Sequence, residues 1–232
     1  MPRNALVLGL LVAVAAPQLS AQEPQPSADE SQFSARKPQL APERAALVEL
    51  PDSLATLNFA EGLRVVDEQG PLVTFWLADP LPKQEEPTGE FSVDFRDLPP
   101  GAVVGVVEFH RDWSDYRKRI VTAGTYSMRY GIRPADEDHM GQTYFRDFLM
   151  LLPVTEDGFP VAGLSEAEPL IELSKKTTGT EHPGVIALYQ IYELLEGPAV
   201  VRNDFDEPCL AVPFKGLVMG LVLFGHGREL PV

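Results

Sequence analysis

The sequence of 232 residues has little cysteine and little positive charge. Cys209 is its single cysteine, so neither a disulfide within the chain nor a cysteine-rich zinc site can form. Because Cys209 lies in an apolar, strand-like run, we expect a small buried side chain and not a nucleophile. The 34 acidic residues outnumber the 19 lysines and arginines and give a net charge of −15, which repels phosphate backbones. Nucleic-acid binding is therefore not expected.

The motifs of the common enzyme classes are missing as well. The sequence contains no G-x-S-x-G, no G-x-x-x-x-G-K-[ST], no G-x-G-x-x-G and no H-E-x-x-H. Paired carboxylates for glycoside hydrolysis stay open, because that chemistry needs only two acids that meet in space. A non-enzymatic role is favoured.

Long apolar runs are also scarce. The main one spans residues 5–16, follows a short basic segment with Arg3, and ends at Pro17. A bilayer span takes about 20 apolar residues, so this run is typical of a secretory signal peptide. We predict a signal peptide over residues 1–21 and a protein that is secreted or periplasmic, with no membrane insertion after cleavage.

Composition divides the remaining chain into two parts. Residues 22–44 are rich in Pro, Gln, Glu and Ser and have only Phe33 and Leu40 as large apolar residues, which predicts a disordered spacer. From residue 45, short apolar runs alternate with turn residues. We therefore predict one domain over residues 45–232.

Apolar and polar residues alternate along much of this domain, which predicts about ten strands. The runs at 63–67 and 71–78 flank a Glu-Gln-Gly turn and predict a hairpin, and the continuous apolar run at 148–154 is typical of a strand buried on both faces. Further strands are predicted at 91–95, 102–110, 125–133, 185–192, 199–202, 210–215 and 217–224. The pattern predicts a mainly β fold, an antiparallel β-sandwich or jelly roll.

One short helix is predicted among the strands. Ser165 is a suitable N-cap, and Glu168 three residues later completes a capping box. Pro169 is tolerated in a first turn, and Gly179 provides a C-terminal stop.

Three acids and a histidine crowd one short loop after the strand at 125–133. Asp136, Asp138, Gly141 and Asp147 fall at positions 1, 3, 6 and 12 of a helix-loop-helix calcium site. Position 5 is Met140, which does not bind calcium, and no helices flank the loop. A calcium site of this kind is therefore not expected.

A divalent metal is the one cofactor that the sequence suggests. The candidate ligands are His110, Asp136, Asp138, His139 and His182, which lie at predicted strand ends or in loops. Because loops at one end of a sandwich can converge, these residues predict a zinc, copper or iron site as an alternative function. The competing interpretation is that the histidines cap loops at the surface.

Arginines and aspartates of the same region have a structural explanation too. An ion-pair network that ties a loop to the sheet is favoured over catalysis. The residues of this predicted network are Arg129, Arg133, Arg146, Asp136, Asp138 and Asp147.

Aromatic residues suggest glycan binding as a further alternative. Trp76, Trp113, Tyr116 and Tyr144 would line a sugar platform if they were exposed together. Aromatic residues at such positions otherwise pack the rim of a sandwich.

Four stretches, at 122–130, 134–141, 146–152 and 174–183, resemble an uncharacterised family of secreted bacterial proteins. The pieces Asp-x-x-His-x-Gly and Gly-Thr-x-His-Pro carry most of the resemblance, which covers about residues 100–185. It implies secretion and a β fold, and it implies no mechanism because the family has no assigned activity. The sequence thus favours an exported binding or structural domain of the bacterial envelope, with an unknown protein or glycan as partner.

Overall fold

Paired strands form the framework of the computed structural model, which describes residues 37–41, 43–135, 145–164, 166–214 and 216–224. They form twelve strands and one helix, α1 (Glu168–Thr178). The strands are β1 (Gln39–Leu40), β2 (Leu63–Asp67), β3 (Gly70–Leu77), β4 (Val103–Phe109), β5 (Trp113–Ser114), β6 (Ile120–Val121), β7 (Gly124–Ile132), β8 (Asp147–Pro153), β9 (Val185–Ile191), β10 (Ala199–Arg202), β11 (Pro208–Phe214) and β12 (Leu217–Val222).

Ten of these strands form a single antiparallel sheet in the order β1-β2-β3-β4-β7-β8-β9-β12-β11-β10. The two edge strands, β1 and β10, contact each other, so the sheet is nearly closed into a barrel. β5 and β6 form a second, small sheet. The predicted mainly β, antiparallel fold with one short helix is confirmed.

One face of the sheet fills the barrel interior with apolar side chains. Met128 and Tyr130 of β7 lie opposite Leu151 and Leu149 of β8, and all four are almost completely buried. The opposite face of β8 carries Met150 and Leu152, which pack against α1. The interior is therefore a packed core, and β8 is buried on both sides as its apolar run predicts.

A long connecting segment covers another part of the outer face. Trp76 of β3 packs with Ala45 and Leu54, and its indole N–H donates to the Ala45 carbonyl at 3.3 Å. β3 is therefore buried on both faces over its second half. The hairpin between β2 and β3 forms where the sequence predicts it, with the Asp67 carboxylate accepting the Gln69 N–H at 2.8 Å.

The strand predicted at 91–95 is absent from the described part of the chain, where this segment forms turns. Val93 and Phe95 are buried while Phe91 is 85% exposed, so the alternation reflects packing without strand pairing. The reason is that the backbone N–H groups of Asp94 and Phe95 donate to the Asp147 carboxylate at 3.0 and 3.2 Å. A side chain thus replaces the neighbouring strand as hydrogen-bond partner.

The helix begins later than the sequence predicts. Its N-cap is Ala167, without a side-chain cap, and Ser165 lies outside the described residues. The predicted C-terminal stop is confirmed, because Gly179 is left-handed and its N–H donates to the Lys175 carbonyl.

One short strand lies before residue 45, where the sequence predicts the domain to begin. β1 lies inside the predicted spacer and pairs with β2, Leu40 opposite Val65. Two residues, Gln39 and Leu40, are too few for a pattern in the sequence to predict a strand. Pairing with β2, which is distant in the chain, stabilises β1 instead. Residues 1–36, with the predicted signal peptide, lie outside the described residues. Among those described, no helix is long and apolar enough to cross a membrane.

Candidate functional site

Two of the five predicted metal ligands are described, and the structure does not bring them into a metal site. Asp136, Asp138 and His139 lie outside the described residues. His110 and His182 belong to no group of three or more histidine, cysteine, aspartate or glutamate side chains among the residues whose positions are given. The metal site stays a prediction from the sequence.

His110 follows β4 and forms a chain of polar groups on the outer face of the sheet. Its Nε2 lies 2.8 Å from the Thr74 hydroxyl, and its Nδ1 lies 3.9 Å from a Glu108 carboxylate oxygen. The order hydroxyl, imidazole, carboxylate is that of a nucleophilic triad. Thr74 is 0% exposed, however, so no substrate reaches its hydroxyl. We therefore interpret the series of polar groups Thr74, His110 and Glu108 as structural.

The neutral form of His110 is the one that fits this environment. Burial lowers the pKa of His110 from its ordinary 6.5, and the charges of Arg64 and Arg111 act in the same direction, while Glu108 opposes them. Below about pH 6.5 the unfolded chain therefore binds the proton more readily than the folded one. Folding stability is full above that pH and falls as the pH decreases toward the folded pKa.

We predict that His110→Gln reduces this acid-dependent loss of stability. Glutamine keeps a polar partner for Thr74 but does not titrate. The measurement is urea unfolding of both proteins between pH 8 and pH 5. The unfolding free energies of the two proteins should become more similar as the pH falls from 8 to 5. An identical pH dependence of the two proteins would show that His110 does not titrate differently on folding.

His182 is exposed and acts through its backbone. Its carbonyl accepts hydrogen bonds from the Thr178 hydroxyl at 2.8 Å and the Thr180 hydroxyl at 3.3 Å, which close the end of α1. Partial burial lowers its pKa, and Arg119 and Arg117 add to the effect. This placement matches a loop-capping histidine.

The structure describes only part of the predicted ion-pair network, because Asp136 and Asp138 lie outside the described residues. Arg129 forms its ion pair with Asp157, both side chains 0% exposed, and not with Asp147. Arg146 pairs with Glu90. Asp157 lies in a turn after β8, so the pair ties that turn to the outer face of β7.

Asp147 is a structural carboxylate at the start of β8. It accepts the Tyr130 hydroxyl at 2.6 Å and the two backbone N–H groups of the 91–98 segment. Burial and the Asp147 charge raise the pKa of Tyr130 far above its usual value and also raise the pKa of the nearby Asp94 carboxyl. Because Asp147 is 3% exposed and accepts three hydrogen bonds from the protein, its carboxylate has a structural role.

The predicted glycan platform is not formed. Trp76, Trp113 and Tyr116 are 1%, 3% and 4% exposed, and Tyr144 lies outside the described residues. Trp113 stacks on Phe109, and its indole N–H donates to a backbone carbonyl at 2.8 Å. Tyr116 packs in a separate cluster with Phe145 and Cys209, so the three described rings belong to the core and not to a surface platform.

Cys209 is also buried, as predicted. It is 0% exposed, and burial raises the pKa of its thiol to about 12. The thiolate required for nucleophilic chemistry is therefore scarce at neutral pH.

An open cavity of about 720 Å³ lies where the barrel is not fully closed. Residues 44, 59–61, 63 and 77–81 form one side, beside the start of β2 and the end of β3. Pro198 and residues 212–214, at the end of β11, form the other. We call this cavity the seam groove, because its two sides belong to opposite ends of the strand order.

Apolar side chains line most of the seam groove, and three charged ones join them. Arg44, Glu61 and Asp79 are exposed, and none of their side chains makes a hydrogen bond or ion pair with another residue among those described. The groove therefore offers an apolar surface with charges that are not already committed within the protein.

Prolines limit strand pairing at the groove. Pro198 precedes β10, and Pro213 lies near the end of β11. Because proline has no N–H, neither position can donate a hydrogen bond to an added strand. Recognition in the groove would therefore use side chains.

Sequence reasoning missed the groove because its parts lie far apart in the chain, at 44–81 and 198–214. The local signal is Pro213 near the end of a predicted strand, where proline limits pairing with a neighbour. Comparison of the chain with protein-family models, with curated proteins and with solved structures gives no match in any of the three.

Proposed function

We propose that this protein is an exported, non-enzymatic binding domain that takes a small apolar or amphipathic molecule in the seam groove. The observation that carries the proposal is the groove itself. Its volume of about 720 Å³ is in the range of small-molecule sites, about 300–1,000 Å³. The basic segment and the apolar run at 5–16 support export.

The lining supports an apolar ligand. Leu63, Leu77 and Leu81 line one side of the groove, and Val212 and Phe214 line the other. Such surfaces bind by removing apolar area of the ligand from water, while a few polar groups orient it.

The candidate nucleophiles and acids support a role without catalysis. Thr74 and Cys209 are inaccessible, and Asp147 is buried and accepts three hydrogen bonds. None of these three residues lines the seam groove. Binding, without turnover, is therefore the activity that the groove supports.

We predict that Ala60→Trp blocks the groove. Ala60 is exposed and lines the cavity, and only its backbone is committed, donating to the Leu77 carbonyl at 2.8 Å. An indole there occupies the opening without entering the core. Binding of the neutral fluorescent probe 1-aminoanthracene should weaken by about tenfold or more, or about 1.4 kcal/mol.

Ala55→Trp is the matched control, because Ala55 is exposed and does not line the groove. It should bind the probe as the unchanged protein does, and both variants should unfold at similar temperatures. The proposal fails if the unchanged protein shows no saturable binding, or if Ala60→Trp and Ala55→Trp bind equally well.

A further inference from the structure

We propose that the seam groove selects cationic amphiphiles, molecules that join an apolar chain to a positively charged head group. This inference rests on the proposed function, because it assigns a ligand class to the same groove. It follows from the charges at the opening and from the charge of the whole chain.

Two carboxylates and one guanidinium lie at the groove. Glu61 lies two residues before Leu63 at the start of β2, and Asp79 lies two residues after Leu77 at the end of β3, so each acid is close in the chain to an apolar residue of the lining. Arg44 is the single base in the lining. The opening thus has an excess of negative charge, and a cationic head group would replace solvent at Glu61 and Asp79.

The long-range field has the same sign as the opening. The chain has a net charge of −15, which raises the local concentration of cations and repels anions. Glu61 and Asp79 add to this attraction, and a cationic ligand can pair with them without breaking an ion pair among the described residues. A fatty acid or another anionic amphiphile would meet repulsion from both sources.

Three ligands with ten carbon atoms each separate the contribution of charge from that of apolar burial: decylammonium, decanol and decanoate. Each is titrated against 1-aminoanthracene bound to the purified protein at neutral pH and low salt. The expected order of affinity is decylammonium, then decanol, then decanoate. Added salt should reduce the difference between the two charged ligands.

Substitution of the carboxylates should reduce this preference selectively. Glu61→Gln and Asp79→Asn should each weaken decylammonium binding by about two- to fivefold, the size of an exposed ion pair, and leave decanol unchanged. Arg44→Gln should strengthen decylammonium binding and weaken decanoate binding. Asp52→Asn and Glu68→Gln, exposed acids outside the lining, are controls for net charge and should have smaller effects.

The outcomes distinguish this inference from the proposed function. If all three ligands displace the probe with equal affinity, and Ala60→Trp abolishes their binding, the groove is a binding site but the cationic class is wrong. If decanoate binds most tightly, the class is likewise overturned. If the probe shows no saturable binding and none of the three ligands binds, the proposed function has failed as well.

Discussion

Replacing Arg129 with methionine is expected to lower the free energy of unfolding by about 3–5 kcal/mol, because it leaves a buried carboxylate without its partner. The guanidinium donates to both Asp157 oxygens at 2.8 and 2.7 Å. It also donates to the carbonyls of Gly101, Pro160 and Phe159 at 2.8–3.0 Å. Few side chains of a domain satisfy so many acceptors at once.

Urea unfolding at neutral pH measures this effect. Arg117→Met is the matched control, because Arg117 is exposed, and its unfolding free energy should change by no more than about 0.5 kcal/mol. The double variant Arg129→Met, Asp157→Asn should lose less stability than the two single changes added together, because it removes the unpaired charge. A loss of under about 1 kcal/mol for Arg129→Met would mean that the pair does not hold the turn to the barrel.

Asp147→Ala is expected to lower the unfolding free energy by about 3 kcal/mol, since hydrogen bonds to a charged group each contribute about 1.5–3 kcal/mol and are not additive. The change leaves the buried Tyr130 hydroxyl and the N–H groups of Asp94 and Phe95 without their acceptor. Asp147 thereby attaches the 91–98 segment to the barrel.

Hydrogen exchange gives this prediction a local readout. The amides of Asp94 and Phe95 should lose protection in Asp147→Ala and keep it in Asp52→Ala, which removes an exposed carboxylate elsewhere. Stability within about 0.5 kcal/mol of the unchanged protein, with both amides still protected, would be incompatible with the anchoring role.

The sequence predicts the fold class because strand periodicity is local. The hairpin of β2 and β3 and the continuous apolar run of β8 are visible in windows of a few residues. The same reasoning is wrong at 91–95, where the carboxylate of Asp147, more than fifty residues later, satisfies the backbone. Alternation alone cannot distinguish a paired strand from a packed turn.

Arg129 shows a second limit of sequence reasoning. Alternation along β7 places Arg129 and Ser127 on a polar face, which indicates exposure, yet both are 0% exposed. A second layer, the turn that carries Asp157, covers that face. No local pattern predicts this partner, and no local pattern predicts the groove, whose two sides meet only when the barrel closes.

Arg129 and Asp147 stabilise the barrel, and the proposed binding function depends on the opening beside its edge strands. β1 and β10 contact each other without hydrogen bonds between their strands, while the other eight strands are paired on both sides. An opening beside edge strands, in an otherwise packed barrel, is a site where a ligand can reach apolar side chains without disrupting the core.

The most direct test of ligand binding in the seam groove is to map it by amide chemical shifts. Decylammonium is titrated, below its aggregation concentration, into the isotope-labelled protein. We predict saturable shifts of the amides of Ala60, Leu77 and Val212, with the amide of His110 at the other end of the sheet unchanged. Shifts centred on His110 and absent from the groove, or no saturable shifts at all, would contradict the account.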